Sequence, residues 1–372
     1  MITRQPDYNV NFRCIGGACP DTCCRDWEIV LDEEALDDYK QAPQPLRERI
    51  AANLVEDGEG DLCFRLREDG CCALLTGDGL CPIQRDWGEE HLCAHCGAYP
   101  RFTEEYGCLT ETALAVSCPE AARLLMECEK FTLLEQTDGK ADQPFDGVDK
   151  ELLAGLEVTR ARALDALEEE GVSLWQRLAR VLALADDGQD CIDFGAFEEM
   201  VGSEVFAVEA EKPVSRRMVA AKLMKTCAEL EALRPAWTER LEQGSAALFA
   251  MKKDYVEVCR AFERANPNWA RHLTNLAGYL VFRHWHKTVN DDNLYGRAAL
   301  TAASCLLVYH LCLLTWKEKG VLFPAEEALI WSAFSREIEH LEENLDALTE
   351  ILFDTAQWPL LSALCTDPAE KN

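Results

Sequence analysis

Positive charge is scarce in this chain: 37 Lys and Arg stand against 67 Asp and Glu, a net charge of −30 over 372 residues. A surface so poor in basic groups is unsuited to a phosphate backbone, so no nucleic-acid partner is expected. The acidic field serves solubility and equally favours a cationic partner by electrostatic steering. The first residues, Met1-Ile-Thr-Arg-Gln-Pro-Asp-Tyr8, have neither the basic nor the apolar region of a secretory signal, and a cytoplasmic location is expected. Long hydrophobic runs are almost missing. Residues 298–316 form one uncharged stretch, bounded by Arg297 and Lys317. It contains Thr301, Ser304, His310 and Thr315 and has no companion span, so it reads as the buried central helix of a bundle and no membrane partner is expected. A glycine-rich cofactor loop is lacking too. Asp57-Gly-Glu-Gly60 has no convincing strand before it and no further glycine, and reads as a surface turn. The three-cysteine loop of radical enzymes is likewise absent, because Asp26 stands where a third cysteine would follow Cys19 and Cys23.

Cysteine, by contrast, is abundant. Thirteen of nineteen lie in the first 128 residues, beyond what packing alone would place there. Cytosolic thiols stay reduced, and the vicinal pairs Cys23-Cys24 and Cys71-Cys72 are awkward in a disulfide framework, so metal ligation is the expected use. A chain of 372 residues does not need metal merely because it is small. Residues 12–32 carry Cys14, Cys19, Cys23 and Cys24 in one short loop, with Gly16, Gly17 and Pro20 to shape its turns. A second group follows: Cys72, then Gly79-Leu-Cys81-Pro-Ile-Gln84, then Cys93-Ala-His-Cys96-Gly-Ala-Tyr99-Pro-Arg101, then Ser117-Cys118-Pro-Glu120.

Residues 1–135 are broken by glycine pairs and read as an irregular cysteine-rich domain, with short helices expected at 32–39 and 45–55. A polar linker is expected at 136–149. From 150 to 372 apolar residues recur at helical spacing, as in Leu174, Leu178, Val181 and Leu182. Phe334, Ile338, Leu341, Leu345 and Leu348 repeat similarly, behind a helix start at Pro324-Ala-Glu-Glu327. The expected fold class is mainly α, a metal-binding N-terminal domain followed by an all-α domain.

The four cysteine strings, in this order, resemble the flagellin lysine-N-methylases, within a broader cysteine-cluster superfamily whose N-terminal domain chelates iron or zinc. The resemblance is most specific over residues 12–120 and extends weakly to Tyr279-Leu-Val-Phe-Arg-His-Trp285. It implies methyl transfer from S-adenosylmethionine to lysines of flagellin or another lysine-bearing protein, with a [4Fe-4S] cluster. Zinc is the alternative metal, since all-sulfur sites suit both. The ligands it implies are Cys14, Cys19, Cys23, Cys24, Cys72, Cys81, Cys96 and Cys118, with Cys93 in reserve. Eight thiolates exceed what one tetrahedral zinc or one cubane needs, and sequence alone does not partition them.

Tyr99, Arg101, Tyr279 and Trp285 are the candidate cofactor-binding residues, the aromatics as stacking surfaces and Arg101 as a counter-charge to thiolates or an ordinary ion-pair partner. His91 and His95 are candidate mixed ligands, with a place beside the thiols or at the surface as the favoured expectation. One hypothesis has an open iron position grip the amino and carboxylate groups of S-adenosylmethionine; the other leaves the cluster structural or redox-sensing and methyl transfer to a helical pocket. A non-enzymatic zinc- or iron-binding interaction module is the competing function.

Overall fold

The computed structural model describes residues 1–137, 147–205, 207–209 and 212–366. Most of the expected linker, 138–146, lies outside the described residues. A four-stranded sheet joins β1 (Ile2–Pro6), β4 (Arg101–Tyr106), β5 (Leu109–Leu114) and β6 (Leu133–Thr137) in the order β4-β5-β1-β6. β4 and β5 form a hairpin whose tight turn places Gly107 at φ 63°, a conformation glycine adopts without steric cost. β1 pairs parallel to β5 and antiparallel to β6. A two-stranded ribbon, β2 (Leu54–Glu56) with β3 (Leu62–Phe64), closes around Asp57, whose carboxylate accepts from the N–H groups of Glu59, Gly60 and Asp61. The Asp57-Gly-Glu-Gly60 string is therefore a hairpin turn.

The cysteine-rich part carries short helices: α1 (Glu33–Tyr39), α2 (Leu46–Ala51), α3 (Pro82–Asp86), α4 (Ala94–Ala98) and α5 (Pro119–Glu127). The body follows as α6 (Lys150–Leu167), α7 (Leu174–Asp193), α8 (Arg216–Ala228), α9 (Pro235–Ala250), α10 (Tyr255–Ala265), α11 (Trp269–His284), α12 (Leu294–Lys319), α13 (Pro324–Phe334), α14 (Glu342–Phe353) and α15 (Leu360–Cys365). α12 is the hub, buried almost throughout and packed by α7, α11 and α14. Asn293 caps its start by accepting from Gly296 N–H, and Gly320 at φ 79° ends it with a bond to the Trp316 carbonyl. α12 is long and apolar enough to cross a membrane, yet 94% of its most apolar window is buried inside the protein, as expected of a core helix.

Three features depart from the sequence reading. The sheet was not expected, because its strands are short and β1 finds its neighbours more than a hundred residues away. The helix expected over 45–55 stops at Ala51, where Asn53 donates its side-chain amide to the Arg49 carbonyl, and Leu54–Glu56 turns into strand. The periodic run from Pro324 is two helices separated by a π-turn, Ser335–Glu339. That turn puts Arg336, Glu337 and Glu339 inside the protein.

Two main cores result. The larger runs through the helical body and takes in Tyr8, Phe12, Val116, Cys118, Leu125 and Phe131, so it crosses the sequence boundary at 135. The smaller one gathers Leu31, Tyr39, Leu46, Ile50, Phe64, Leu74 and Ile83 under the short helices, with Cys72 and Cys93 among them.

Candidate metal centre

The thiol loop is seated on the helical body by arginines. Arg234, just before α9, forms a two-point ion pair with Asp21 at 2.9 and 3.0 Å and also meets Asp26. Asp26 holds a left-handed backbone, φ 71°, to make that contact. Arg336 projects from the π-turn, fully buried, lies 4.7 Å over the Trp27 ring, and donates to the carbonyls of Thr22 at 3.3 Å and Asp21 at 3.4 Å.

Around this loop the thiols fall into two sets. Cys14, Cys19, Cys23 and Cys118 face one another: burial pushes Cys19 and Cys118 up, Cys118 to about 11, and the Cys14 charge adds to each rise. Cys14 and Cys118 also raise Cys23, whose largest influence is the hydrogen bond it donates to Cys24. Opposing this, the N–H groups of Ala121 and Glu120 at the start of α5 point at Cys118, and Arg336 favours the Cys19 thiolate. Cys24, Cys72, Cys81, Cys93 and Cys96 form the second set, packed in or against the smaller core. Cys96 donates to Cys93, lowering Cys93, and Cys24 and Cys81 act on both Cys72 and Cys96. Each set has a tyrosine: Tyr99 beside Cys118 and Cys23, Tyr39 beside Cys93, Cys96 and Cys81.

Fit to metal follows from this donor chemistry. Both sets offer four or more thiols, and Cys81 and Cys118 each precede a proline-started helix whose free N–H groups stabilise a thiolate. Among the described residues no three thiols come within 4.8 Å of one another. Sulfurs on a single zinc stand about 3.8 Å apart, from a Zn–S bond of roughly 2.3 Å. Neither set is thus gathered as closely as a zinc cage, and the donors fit iron–sulfur ligation, in which each thiolate would hold a separate iron. Among the described residues three ligand atoms do gather within 4.8 Å at Glu111, Glu157 and His286. Those carboxylates are already taken by cations: Arg160 grips Glu111 with two bonds of 2.6 Å, and Arg4 bridges Glu111 and Glu157 at 3.0 and 2.8 Å. This is an ion-pair knot tying β1, β5 and α6 together.

Beside the first set lies an aromatic enclosure. The rings of Trp27, Tyr99 and Phe102 surround His340, at centroid distances of 5.1, 5.9 and 5.1 Å. The Tyr99 hydroxyl is 3.1 Å from Ser117 Oγ, which is 2.5 Å from His340 Nε2. Burial, then the Arg283 charge, with Arg336 adding to it, pulls His340 down to about 4 although Glu339 opposes them, so its imidazole is neutral at pH 7. Behind it, Glu339 accepts from Tyr279 at 3.2 Å and lies 3.0 Å from His284 Nε2, while Arg283 donates to Tyr279 at 2.7 Å and covers Phe102 at 4.1 Å. Burial alone would raise Glu339, but Arg283 and His284 hold it at about 2.

Of the residues proposed to meet a cofactor, Tyr99 and Tyr279 belong to this region. Arg101 is exposed, with its guanidinium 5.3 Å from the Phe12 ring, and the cation facing the thiols is Arg336. Trp285 is buried in the helical core and donates to Thr159 Oγ1 at 3.1 Å. His91 stacks on Trp87 and bonds Asp38, and His95 is exposed. Sequence reasoning missed Trp27's partners Arg336 and His340. Their one signal is a charged run, Arg336-Glu-Ile-Glu-His340, inside an otherwise apolar helical stretch.

Comparison with known proteins fits this picture. Residues 160–365, just over half of the chain, match the FliB lysine N-methylase C-terminal domain. Two curated relatives, both named lysine-N-methylase, from Salmonella choleraesuis and Salmonella typhimurium, are each 30% identical over 146 residues, 37% of this chain. That match spans 36% of those relatives' length. A flagellar biosynthetic protein FliU from Salmonella muenchen is 29% identical over 145 residues, covering 84% of its length. No solved structure matches. By the match over its helical body, this chain belongs to the FliB lysine N-methylase C-terminal domain family.

Proposed function

We propose that this protein is a protein-lysine N-methyltransferase that uses S-adenosylmethionine and a [4Fe-4S] cluster held by Cys14, Cys19, Cys23 and Cys118, with flagellin as its substrate and the cytoplasm as its place of action. The observation that carries this reading is the junction itself: helical residues from the family-matching body, Arg336 and His340, close over the thiol set and its aromatic neighbours. The relatives' printed names, lysine-N-methylase and flagellar biosynthetic protein, support the reaction and the substrate.

When bound, S-adenosylmethionine would supply the activated methyl group, and a cluster held by four thiolates, with no iron left open, would supply negative charge. The chain's own residues do the rest. A lysine must lose its proton before it attacks, and a water-poor site favours the neutral amine; His340, held neutral by burial and two arginines and engaged at Nε2 by Ser117, adds no competing positive charge there. Ser117 and Tyr99 orient that nitrogen through their hydrogen-bond chain. Arg336 and Arg283 cover the faces of Trp27 and Phe102, and with Tyr99 these rings keep water out. The net charge of −30 draws cationic partners towards the protein.

The test is transfer of labelled methyl from S-adenosylmethionine to purified flagellin by anaerobically prepared protein. Methyl-lysine should appear, and His340→Gln should lower kcat by about 10²-fold, the usual cost of losing a positioning contact, while leaving the iron content unchanged. Cluster-loaded protein that methylates no lysine would overturn the reading.

A further inference from the structure

We infer that the outer edge of β4 is a docking strand, on which an extended, lysine-bearing segment of a partner protein adds to the sheet and presents one side chain to the enclosure around His340. The inference rests on the reading that the protein acts on protein lysines, and it names how such a substrate is held.

The hairpin register decides which backbone groups are free. Tyr106 pairs with Leu109 across the tight turn, and the unbroken register runs through Glu104 with Glu111 and Phe102 with Ala113. It ends at Pro100, whose carbonyl accepts from Ala115 N–H at 2.8 Å. In an antiparallel ladder hydrogen-bonded pairs alternate with non-bonded ones. Phe102, Glu104 and Tyr106 therefore direct their N–H and C=O groups to β5, and Arg101, Thr103 and Glu105 turn theirs the other way. β5 obeys the same parity from its far side: the Cys108 carbonyl accepts from Ile2 N–H at 2.7 Å, and the Thr112 carbonyl from Asn9 Nδ2 at 2.9 Å. β4 is an outer strand of the sheet, and among the described residues nothing pairs with the outward backbone groups of Arg101, Thr103 and Glu105.

Charge and shape select the occupant. Edge strands are commonly guarded by proline, lysine or a bulge, and Arg101-Phe-Thr-Glu-Glu-Tyr106 has none of these. Its guards are two carboxylates, Glu104 and the exposed Glu105, which repel a second copy of the same edge and attract a basic segment. The side of β4 turned to the helical body also opens at this edge. Glu111 and Ala113 on β5 are buried, whereas their partners Glu104 and Phe102 are only half-buried. Lys287 holds Glu104 at 2.8 Å, and Phe102 meets His340 edge to face beneath Arg283. A strand added about 4.8 Å outside β4 places every second side chain over this shelf. The residue opposite Phe102 then stands beside the ring that touches His340. Main-chain bonds to Thr103 and its neighbours supply affinity and register, and the acidic pair supplies the preference for lysine.

Amide hydrogen exchange, read residue by residue in anaerobically prepared protein with and without a flagellin-derived peptide carrying a central lysine, tests this. In the free protein Thr103 and Glu105 should exchange fast and Glu104 and Tyr106 slowly. Saturating peptide should slow Thr103 and Glu105 by about tenfold or more. Thr103→Pro removes one outward N–H without touching the β5 ladder and should weaken peptide binding by about tenfold, near the worth of one main-chain hydrogen bond. Thr103→Ala keeps that N–H and should bind as wild type does. Should Thr103→Pro fail to fold, peptides blocked by N-alkylation of alternate backbone nitrogens decide on wild type: one alternate set should abolish binding and the other leave it intact. Peptide that binds while Thr103 and Glu105 stay fast, or that binds folded Thr103→Pro equally well, would overturn the inference. So would absence of peptide binding, or edge protection that grows with protein concentration alone, the mark of two copies pairing. Edge protection without methyl transfer would defeat the methylase reading and leave this one standing; methyl transfer with an unprotected edge would do the reverse.

Discussion

The helical body and the thiol module reach a folded state by different means. The body buries α12 on all sides and meets its few internal charges with partners, as Arg160 meets Glu111. The module around Tyr39 and Phe64 has a thin apolar core, short helices and thiols where a larger domain would have leucine. Apolar area can hold the first; the second, on the proposed metal reading, would be completed by what its thiols bind. On that reading a single chain would carry one region whose stability is intrinsic and another whose stability depends on what it binds.

The strongest way to break this comparison is to remove metal. After chelation, amide exchange in residues 24–96 should accelerate by orders of magnitude while α7, α11 and α12 keep their protection; equal acceleration in both regions would show that the body too relies on metal. Arg160→Met tests the opposite side. It leaves Glu111 buried with weaker compensation, and the body should lose about 3–5 kcal/mol in urea unfolding, somewhat less if Arg4 re-centres on Glu111. Metal content should not change.

Acid sharpens the contrast. Burial pulls His284, His310 and His340 down to about 4 from an ordinary 6.5, so the unfolded chain binds protons that the folded one refuses between those values. Stability of the body should fall as pH drops from about 6.5 to 4. Glu111 and Glu339, held at about 2 although burial opposes it, extend the loss from about 4.5 towards 2. The melting temperature should therefore decline continuously across both windows, and a flat profile above pH 5 would mean that those histidines titrate alike in the folded and unfolded chain. The smallest effect belongs to Asp32→Ala, which removes the caps of α1 and α4 and should cost about 1–2 kcal/mol, seen as weaker metal retention in the module and no shift in the body.

Much of the body was legible because helical periodicity is local: Leu174, Leu178, Val181 and Leu182 line one face of α7 as their spacing requires. The grouping of the cysteine strings was legible for a similar reason, that short spacings constrain short loops. Their division was not, since it depends on how the chain turns at Cys23-Cys24 and on strands and helices recruited from residues 63–118. The sheet escaped for the same reason: β1 carries five residues with no strong alternation, and its partners come from far along the chain. His340 and Arg336 escaped because they follow no motif and depend on a local change of helical pitch.

That change of pitch has an evolutionary corollary. A π-turn holds one residue more than the α-turn it replaces, so deleting any single residue between Ser335 and Glu339 would let α13 run smoothly onward. The tidier helix would lose the bulge that carries Arg336 and His340 inward, moving His340 relative to Ser117. Related sequences that keep this site should therefore preserve the length of this segment even where its residues vary, and a lone one-residue gap there would mark a relative that has parted with the chemistry.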